Sequence, residues 1–276
     1  MLLNDLVFPE GPRWHNGRLW FSDMHAHEVV AVDTDGRRET MVTVPEQPSG
    51  LGWLPDGRLL IVSMEDRKLL RLDPGGLAVA ADLANLAPFH CNDMVVDAQG
   101  RAYIGNFGFD MWNEEARGTV LIMVTPEGRP LVVAEDMWFP NGMAITPDGR
   151  TLIVAETVAH RLTAFDIEED GSLSHRRVWA QVDARPDGIC LDAEGCIWMA
   201  SPREPHAFLR VAEGGEIRER IDLVDRNAYA CALGGVDRRT LFLLEARASK
   251  PAAGTDARSN GRIRMVEVAV PGVGFP

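Results

Sequence analysis

The sequence has little basic charge, and this shortage excludes several classes of partner. Its 276 residues contain 28 Lys and Arg against 41 Asp and Glu, which gives a formal net charge of -13. An electrostatic field of that sign repels phosphate groups, so we expect binding to neither nucleic acid nor an anionic membrane surface. The same field favours a protein that binds a divalent cation and a small molecule.

Long apolar segments and cysteine pairs are also missing. No apolar run approaches the length of a membrane span, and the first residues, MLLNDLVFPEGPRW, lack the basic region of a signal peptide. Four cysteines are present without a Cys-x-x-Cys pair, which favours free thiols over a disulfide or a zinc site. We therefore predict a cytoplasmic protein that is a monomer or a loose homodimer.

Long amphipathic helices are absent, whereas short segments rich in Val, Ile and Leu recur between Gly, Pro and Asp turns. A turn of the form Asp-x-Gly-Arg repeats at spacings of about 40 to 49 residues. Two tandem β-sandwiches would not explain this common register. The repeat predicts an all-β fold, a six-bladed β-propeller with four-stranded blades that occupies residues 1–276 as a single domain. The repeated turn positions are Gly17, Gly57, Gly100, Gly149, Gly195 and, in a degenerate unit, Arg238.

Polar residues stand about eight positions before most of these turns, where the innermost strand of each blade begins. In a propeller these positions face one another at one mouth of the central channel. The alternative, a local turn at each position, accounts poorly for a glutamate. Two carboxylates and two carboxamides form an all-oxygen site that suits Ca²⁺ best, with Mg²⁺, Mn²⁺ or Zn²⁺ as alternatives. The aligned residues are Glu10, Ser49, Asn92, Asn141, Asp187 and Ala230.

At four of these positions the sequence resembles the senescence-marker-protein/gluconolactonase family, also called regucalcin-like proteins. The resemblance implies a propeller that binds one divalent cation and hydrolyses lactones. It implies that Glu10, Asn141 and Asp187 are metal ligands and that Asn92 binds substrate or metal. Asp187 is also the implied general base, although water activated by the metal is an equally consistent nucleophile. The shared motifs are Phe8-Pro9-Glu10-Gly11-Pro12, Asn92-Asp93, Phe139-Pro140-Asn141-Gly142 and Arg185-Pro186-Asp187-Gly188.

One position departs from the sugar-lactone members of this family. His90 stands where they carry an arginine that contacts substrate hydroxyls. Without that guanidinium we expect a simple aliphatic or aryl γ- or δ-lactone as the substrate, with a sugar lactone as the alternative. His90 is then a polar wall of the pocket or a general acid–base. Aromatic residues of the third and fourth units either line an apolar pocket or pack between blades; they are Phe107, Phe109, Trp112 and Trp138.

Other features limit the choice of chemistry. The sequence has no Gly-x-Ser-x-Gly motif, so it gives no indication of a serine hydrolase. The pair of histidines in His25-Ala26-His27 is interpreted as a solvated loop, and the loop at residues 245–261 as a lid over the site. The sequence therefore predicts a metal-dependent lactonase; a metal-dependent aryl esterase or phosphotriesterase and a non-catalytic calcium-binding propeller are the alternatives.

Overall fold

The computed structural model describes residues 1–248 and 257–274, and their regular elements are β-strands and two short 3-10 turns. The strands form six antiparallel sheets of four strands each. The six four-stranded sheets confirm the six-bladed propeller that the repeat predicts. Within the described ranges, no helix is long and apolar enough to cross a membrane.

The strands follow one another blade by blade along the chain. The N-terminal strand β1 spans Leu3–Leu6. Blade one contains β2 (Pro9–His15), β3 (Arg18–Asp23), β4 (Glu28–Val32) and β5 (Arg38–Thr43). Blade two contains β6 (Pro48–Trp53), β7 (Leu59–Ser63), β8 (Lys68–Asp73) and β9 (Gly76–Asp82). Blade three contains β10 (Cys91–Val96), β11 (Ala102–Asn106), β12 (Thr119–Val124) and β13 (Pro130–Met137).

Blade four contains β14 (Pro140–Ile145), β15 (Thr151–Glu156), β16 (Arg161–Ile167) and β17 (Leu173–Gln181). Blade five contains β18 (Ile189–Leu191), β19 (Ile197–Ser201), β20 (Ala207–Val211) and β21 (Ile217–Asp222). Blade six contains β22 (Asn227–Gly234), β23 (Thr240–Ala246) and β24 (Gly261–Glu267), and β1 is its fourth strand.

Blade six joins the two ends of the described chain. Strand β1 pairs antiparallel with β24, with Leu3 opposite Ile263 and Leu6 opposite Gly261. The sequence repeat did not predict that the N-terminal strand would complete blade six, because the N-terminal segment carries no turn of the repeated type. The ring is therefore closed by hydrogen bonds between the first and last strands.

The repeated turns connect the first and second strands of each blade. In blade four, Asp148 accepts a hydrogen bond from the backbone N–H of Arg150 at 3.1 Å, and Gly149 has φ of 72°. Such left-handed backbone is easiest for glycine. At the degenerate sixth turn Arg238 takes φ of 59°, so the backbone conformation is kept although the glycine is not.

The apolar core is divided among the blade interfaces. Six clusters of buried side chains each lie between two neighbouring blades. A seventh lies at one mouth of the channel and combines residues of several blades. Its members are Phe8, Met24, Met64, Phe107, Phe109, Phe139, Tyr229 and Ala246.

Asn141-Gly142 lies inside β14 and is not a hairpin turn. A Cβ on Gly142 would lie 2.5 Å from the backbone nitrogen of Ile189, so this glycine permits close contact between the inner strands of blades four and five. The N–H of Gly142 donates to the carbonyl of Asp187 at 3.2 Å. Glycine therefore follows Asn141 because of packing around the axis.

Candidate functional site

Interruptions in strand pairing occur where the polar axial residues lie. The register of the inner strand shifts between Glu10 and Arg13 in blade one and between Pro140 and Met143 in blade four. Blade three has the same irregularity around Asn92, and Asp187 lies two residues before β18. Such bulges redirect side chains out of the sheet.

The structure brings the four axial residues to one cavity of about 320 Å³ at the channel mouth. Asn92, Asn141 and Asp187 are buried, and Glu10 remains partly accessible from the cavity. Within residues 1–248 and 257–274, no three or more His, Cys, Asp or Glu side chains form a group suited to a metal. The candidate set differs from such a group because two of its four members are carboxamides.

The carboxylates in this cavity repel one another. Burial and the charge of Asp93 raise the pKa of Glu10 to about 8, although the Gly11 N–H and Arg13 lower it. Burial and the charges of Glu10 and Asp93 raise the pKa of Asp187 well above its usual range. The site therefore favours either retained protons or a bound cation.

Arg13 compensates only part of this charge. Its guanidinium lies 3.0 Å from Asp93, and both side chains are buried. When Glu10, Asp93 and Asp187 are all ionised, one guanidinium against three carboxylates leaves two negative charges uncompensated. A divalent cation would neutralise that difference.

The carboxamides also fit a ligand in the cavity. Asn92 receives a long hydrogen bond from Ser49 at 3.5 Å, whereas its buried Nδ2 has no hydrogen-bond partner among the described residues. Asn141 donates from Nδ2 to Thr157 at 3.3 Å, a hydrogen bond that does not use the oxygen of its carboxamide. The oxygen donors and the unpartnered amide together fit a hard cation and a polar substrate.

An aromatic wall borders the cavity on the side of blades three and four. Phe107 stacks on Phe139 with ring centroids 4.5 Å apart. Phe107 and Trp112 line the cavity, as the sequence predicts, and Met111 lies there with them. This side presents apolar surface to a ligand.

Three of the residues expected in the pocket are not among those lining the cavity. Phe109 is buried behind the wall, with its ring 6.0 Å from that of Phe139. Trp138 is 36% exposed and precedes Phe139, whose backbone is left-handed with φ of 58°. His90 stacks on Phe89 at 4.1 Å, and burial lowers its pKa.

Several lining residues were missed by sequence reasoning. His25 is half-buried and borders the cavity beside Phe8, with ring centroids 5.2 Å apart, which the solvated-loop interpretation did not foresee. Tyr229 and Asn227 contribute polar groups from blade six. Three arginines, Arg185, Arg203 and Arg247, line the cavity from blades five and six.

The repeat contains a signal for another set of lining residues, which includes Arg247. The residues that directly follow the second strand of each blade line the cavity, so stepping along the repeat identifies this position in every unit. They are Met24, Met64, Phe107, Thr157, Pro202 and Arg247. The expected lid at residues 245–261 can be followed only to Ala248 on this side, since residues 249–256 lie outside the described residues.

Known proteins resemble this chain over most of its length. It is 27% identical over 279 residues to a 6-deoxy-6-sulfogluconolactonase of Pseudomonas putida, covering 98% of this chain and 94% of that protein. It is 25% identical over 244 residues to a pentonolactonase of Haloferax volcanii, covering 86% and 81%. A regucalcin structure from Agrobacterium tumefaciens, described as a calcium-binding protein, has the same fold, with a TM-score of 0.82, 24% identity and coverage of 99% and 94%.

Residues 8–247 match the family model described as the SMP-30/gluconolactonase/LRE-like region. The matched range begins just before the inner strand of blade one and ends just after β23 of blade six. It includes all four axial residues, in agreement with the motifs on which the sequence resemblance rests. The chain belongs to the SMP-30/gluconolactonase/LRE-like family.

Proposed function

We propose that this protein is a divalent-cation-dependent lactonase that opens a sugar-derived lactone to the corresponding hydroxy acid. The observation that carries the proposal is the convergence of Glu10, Asn92, Asn141 and Asp187, from four different blades, on one cavity. The names of two relatives, a sulfogluconolactonase and a pentonolactonase, support lactone hydrolysis as the reaction.

The proposed substrate class differs from the one expected from His90. Both relatives are named for sugar lactones, which supports the alternative over a simple aliphatic or aryl lactone. The cavity also supports it, because Thr157, Asn227 and Tyr229 offer hydroxyl and amide groups to substrate hydroxyls. Polar groups on blades four and six thus compensate for the arginine missing from blade three.

Glu10, Asn141 and Asp187 would hold the cation, with Asn92 beside them. Their oxygen atoms suit Ca²⁺, while Mg²⁺, Mn²⁺ and Zn²⁺ are the alternatives for the metal-restoration experiment. When bound, a divalent cation supplies Lewis acidity toward a carbonyl oxygen and neutralises the buried carboxylates.

The side chains of this protein account for the remaining steps of ring opening. Water adds to the carbonyl carbon, and Asp187 accepts the proton that the water loses. The ring C–O bond then breaks, and Asp187 returns the proton to the ring oxygen, which becomes the hydroxyl of the product. The unpartnered Nδ2 of Asn92 can donate a hydrogen bond to substrate, and the Phe107–Phe139 wall limits access of bulk water.

Rates of proton release on a panel of lactones test this proposal. We expect rapid opening of glucono-δ-lactone, slower opening of δ-valerolactone, loss of activity after metal removal and recovery with a divalent cation. Phenyl acetate serves as the acyclic ester.

Unchanged rates in metal-stripped protein would overturn the cation requirement. Faster turnover of δ-valerolactone would overturn the substrate class, and preference for phenyl acetate would indicate an esterase. Cation binding without turnover of any ester would indicate a non-catalytic calcium-binding protein.

A further inference from the structure

The cavity has two chemically different sides. Phe107, Phe139 and Trp112 form the side contributed by blades three and four. Arg185, which precedes β18, and Arg203, which follows β19, border the cavity from blade five, and Arg247 borders it directly after β23 of blade six. A ligand seated here would contact apolar surface on one side and three guanidinium groups on the other.

These arginines have no anionic partner within the described part of the protein. No carboxylate there lies within ion-pair distance of Arg185, Arg203 or Arg247. Arginines elsewhere are commonly paired, as Arg210 is with Asp192 at 2.7 Å and Arg262 with Glu245 at 2.6 Å. In a chain of net charge -13, carboxylates are plentiful, so three unpaired arginines around one cavity are a specific arrangement.

All three side chains are exposed to solvent, so they are free to meet a ligand. Guanidinium groups bind carboxylate, phosphate and sulfonate groups through paired N–H donors, and several around one anion strengthen that binding. Glu10 and Asp187 line the same cavity and offer an anion no positive charge, whereas the three arginines do. An anionic group would therefore bind on the arginine side, away from the carbonyl that undergoes hydrolysis.

We propose that the substrate is a sugar-acid lactone that carries a second, anionic group remote from its lactone carbonyl. This inference rests on the proposed lactone hydrolysis and specifies its substrate further. The arginines bind the anionic group, while the aromatic side contacts the ring. Phosphate, sulfonate and carboxylate share the required charge, and the choice of lactone distinguishes them.

The test compares kcat/KM for neutral glucono-δ-lactone with values for 6-phosphogluconolactone, 6-deoxy-6-sulfogluconolactone and glucaro-1,4-lactone. We expect at least one anionic lactone to be preferred by about tenfold or more, a preference that decreases as salt is added. Arg203→Gln and Arg247→Gln should each lower the ratio of anionic to neutral kcat/KM by about tenfold, since each removes a charged hydrogen-bond donor to the anionic group.

Arg150→Gln is the matched control. Arg150 is exposed and lies in the turn between β14 and β15. This turn follows the end of β14 that is away from Asn141, and Arg150 does not line the cavity. This variant should leave the ratio of kcat/KM values unchanged. An equal fall in the ratio for Arg150→Gln would assign the effect to overall charge and would contradict an arginine site.

The outcomes separate this inference from the proposal on which it rests. Turnover of neutral lactones without a preference for anionic ones, or a preference that both arginine variants retain, would overturn the inference and leave lactone hydrolysis intact. Failure to open any lactone, neutral or anionic, would overturn both.

Discussion

Glu10 connects stability to function at the scale of a single residue. Burial of its carboxyl, and then repulsion from Asp93, raise the pKa of Glu10 to about 8. An arrangement that is unfavourable for the metal-free fold is the one expected for a cation site. The same carboxylates that would bind the ion therefore destabilise the protein when the ion is absent.

We predict that metal-free protein loses thermal stability as the pH rises from about 4.5 to 8. With a pKa of about 8, Glu10 keeps its proton in the folded state up to that pH, whereas the unfolded chain loses it near the ordinary glutamate pKa of 4.5. Because the folded state binds more protons in this window, its stability falls with rising pH. Thermal unfolding followed by circular dichroism, in buffers with chelator, measures the effect.

Glu10→Gln is the companion variant for this measurement. It removes the titrating group, so the slope of unfolding temperature against pH should become smaller, and added Ca²⁺ should stabilise the variant less than the wild type. An unchanged slope would show that Glu10 does not carry the pH dependence.

Asp187→Asn tests the proton acceptor of the proposed reaction. We expect kcat/KM for the preferred lactone to fall by about 10²–10⁴, since loss of a general acid–base group has effects of this size. Asp183→Asn, an exposed aspartate four residues earlier, should keep the wild-type rate. Near wild-type turnover by Asp187→Asn would remove this carboxylate from the mechanism.

At the scale of the structural element, the repeated turn is kept even where its sequence is lost. Five of the repeated turns use glycine, and the sixth holds Arg238 in the same left-handed conformation. Position in the repeat therefore determines this backbone more strongly than residue type does. The mismatch identifies a site where the fold is not optimised.

We predict that Arg238→Gly raises the free energy of unfolding by about 0.5–1 kcal/mol. Left-handed backbone costs a non-glycine residue about 1–2 kcal/mol. Glycine's greater freedom in the unfolded chain offsets part of that gain. Gly149→Ala in blade four is the reverse experiment, with an expected loss of about 1 kcal/mol. A new Cβ there would meet nothing within 4 Å, so the loss reports on backbone alone. Chemical denaturation measures both, and a destabilised Arg238→Gly would contradict the account.

The strands and turns could be predicted from sequence because their causes are local. In blades two to six, an aspartate of the turn accepts a hydrogen bond from the backbone N–H two residues ahead, as Asp148 does from Arg150. The axial residues could be found because they keep a fixed distance from those turns. Their placement in one cavity agrees with that reasoning, while their roles as ligands stay predictions.

Features that depend on contacts between distant parts of the chain could not be predicted in this way. Arg203 and Arg247 are separated by four strands in sequence, yet both line the same cavity from neighbouring blades. Trp138 and His90 have suitable chemistry and sequence positions, yet local backbone and stacking direct them away from the cavity. The direction of a side chain at a loop depends on φ values that composition does not reveal.

For the whole molecule, stability depends on closing the ring through β1. Leu6 is buried at 1% exposure in the cluster between blades one and six. Asp23 of blade one also accepts hydrogen bonds from the backbone N–H groups of Val7 and Phe8, which fixes the segment that follows β1. The N-terminal strand is thus held by both of the blades that it joins.

We predict that Leu6→Ala lowers the free energy of unfolding by about 2–5 kcal/mol, the usual cost of removing a buried leucine side chain. Asn4→Ala, in the same strand but exposed, should change it by less than about 0.5 kcal/mol. Equilibrium denaturation of both variants tests whether β1 contributes through its buried face. Equal effects of the two substitutions would contradict that role.

The pairing of β1 with β24 also sets an order of events during synthesis. The ribosome makes Leu3–Leu6 among the first residues of this sequence, but Gly261–Glu267 only near its end. Until then the edges of the growing ring have no partner, and an unpaired strand edge is prone to association with other chains. A nascent chain of this protein can complete five blades while still attached to the ribosome, but the ring can close only after the last blade has emerged.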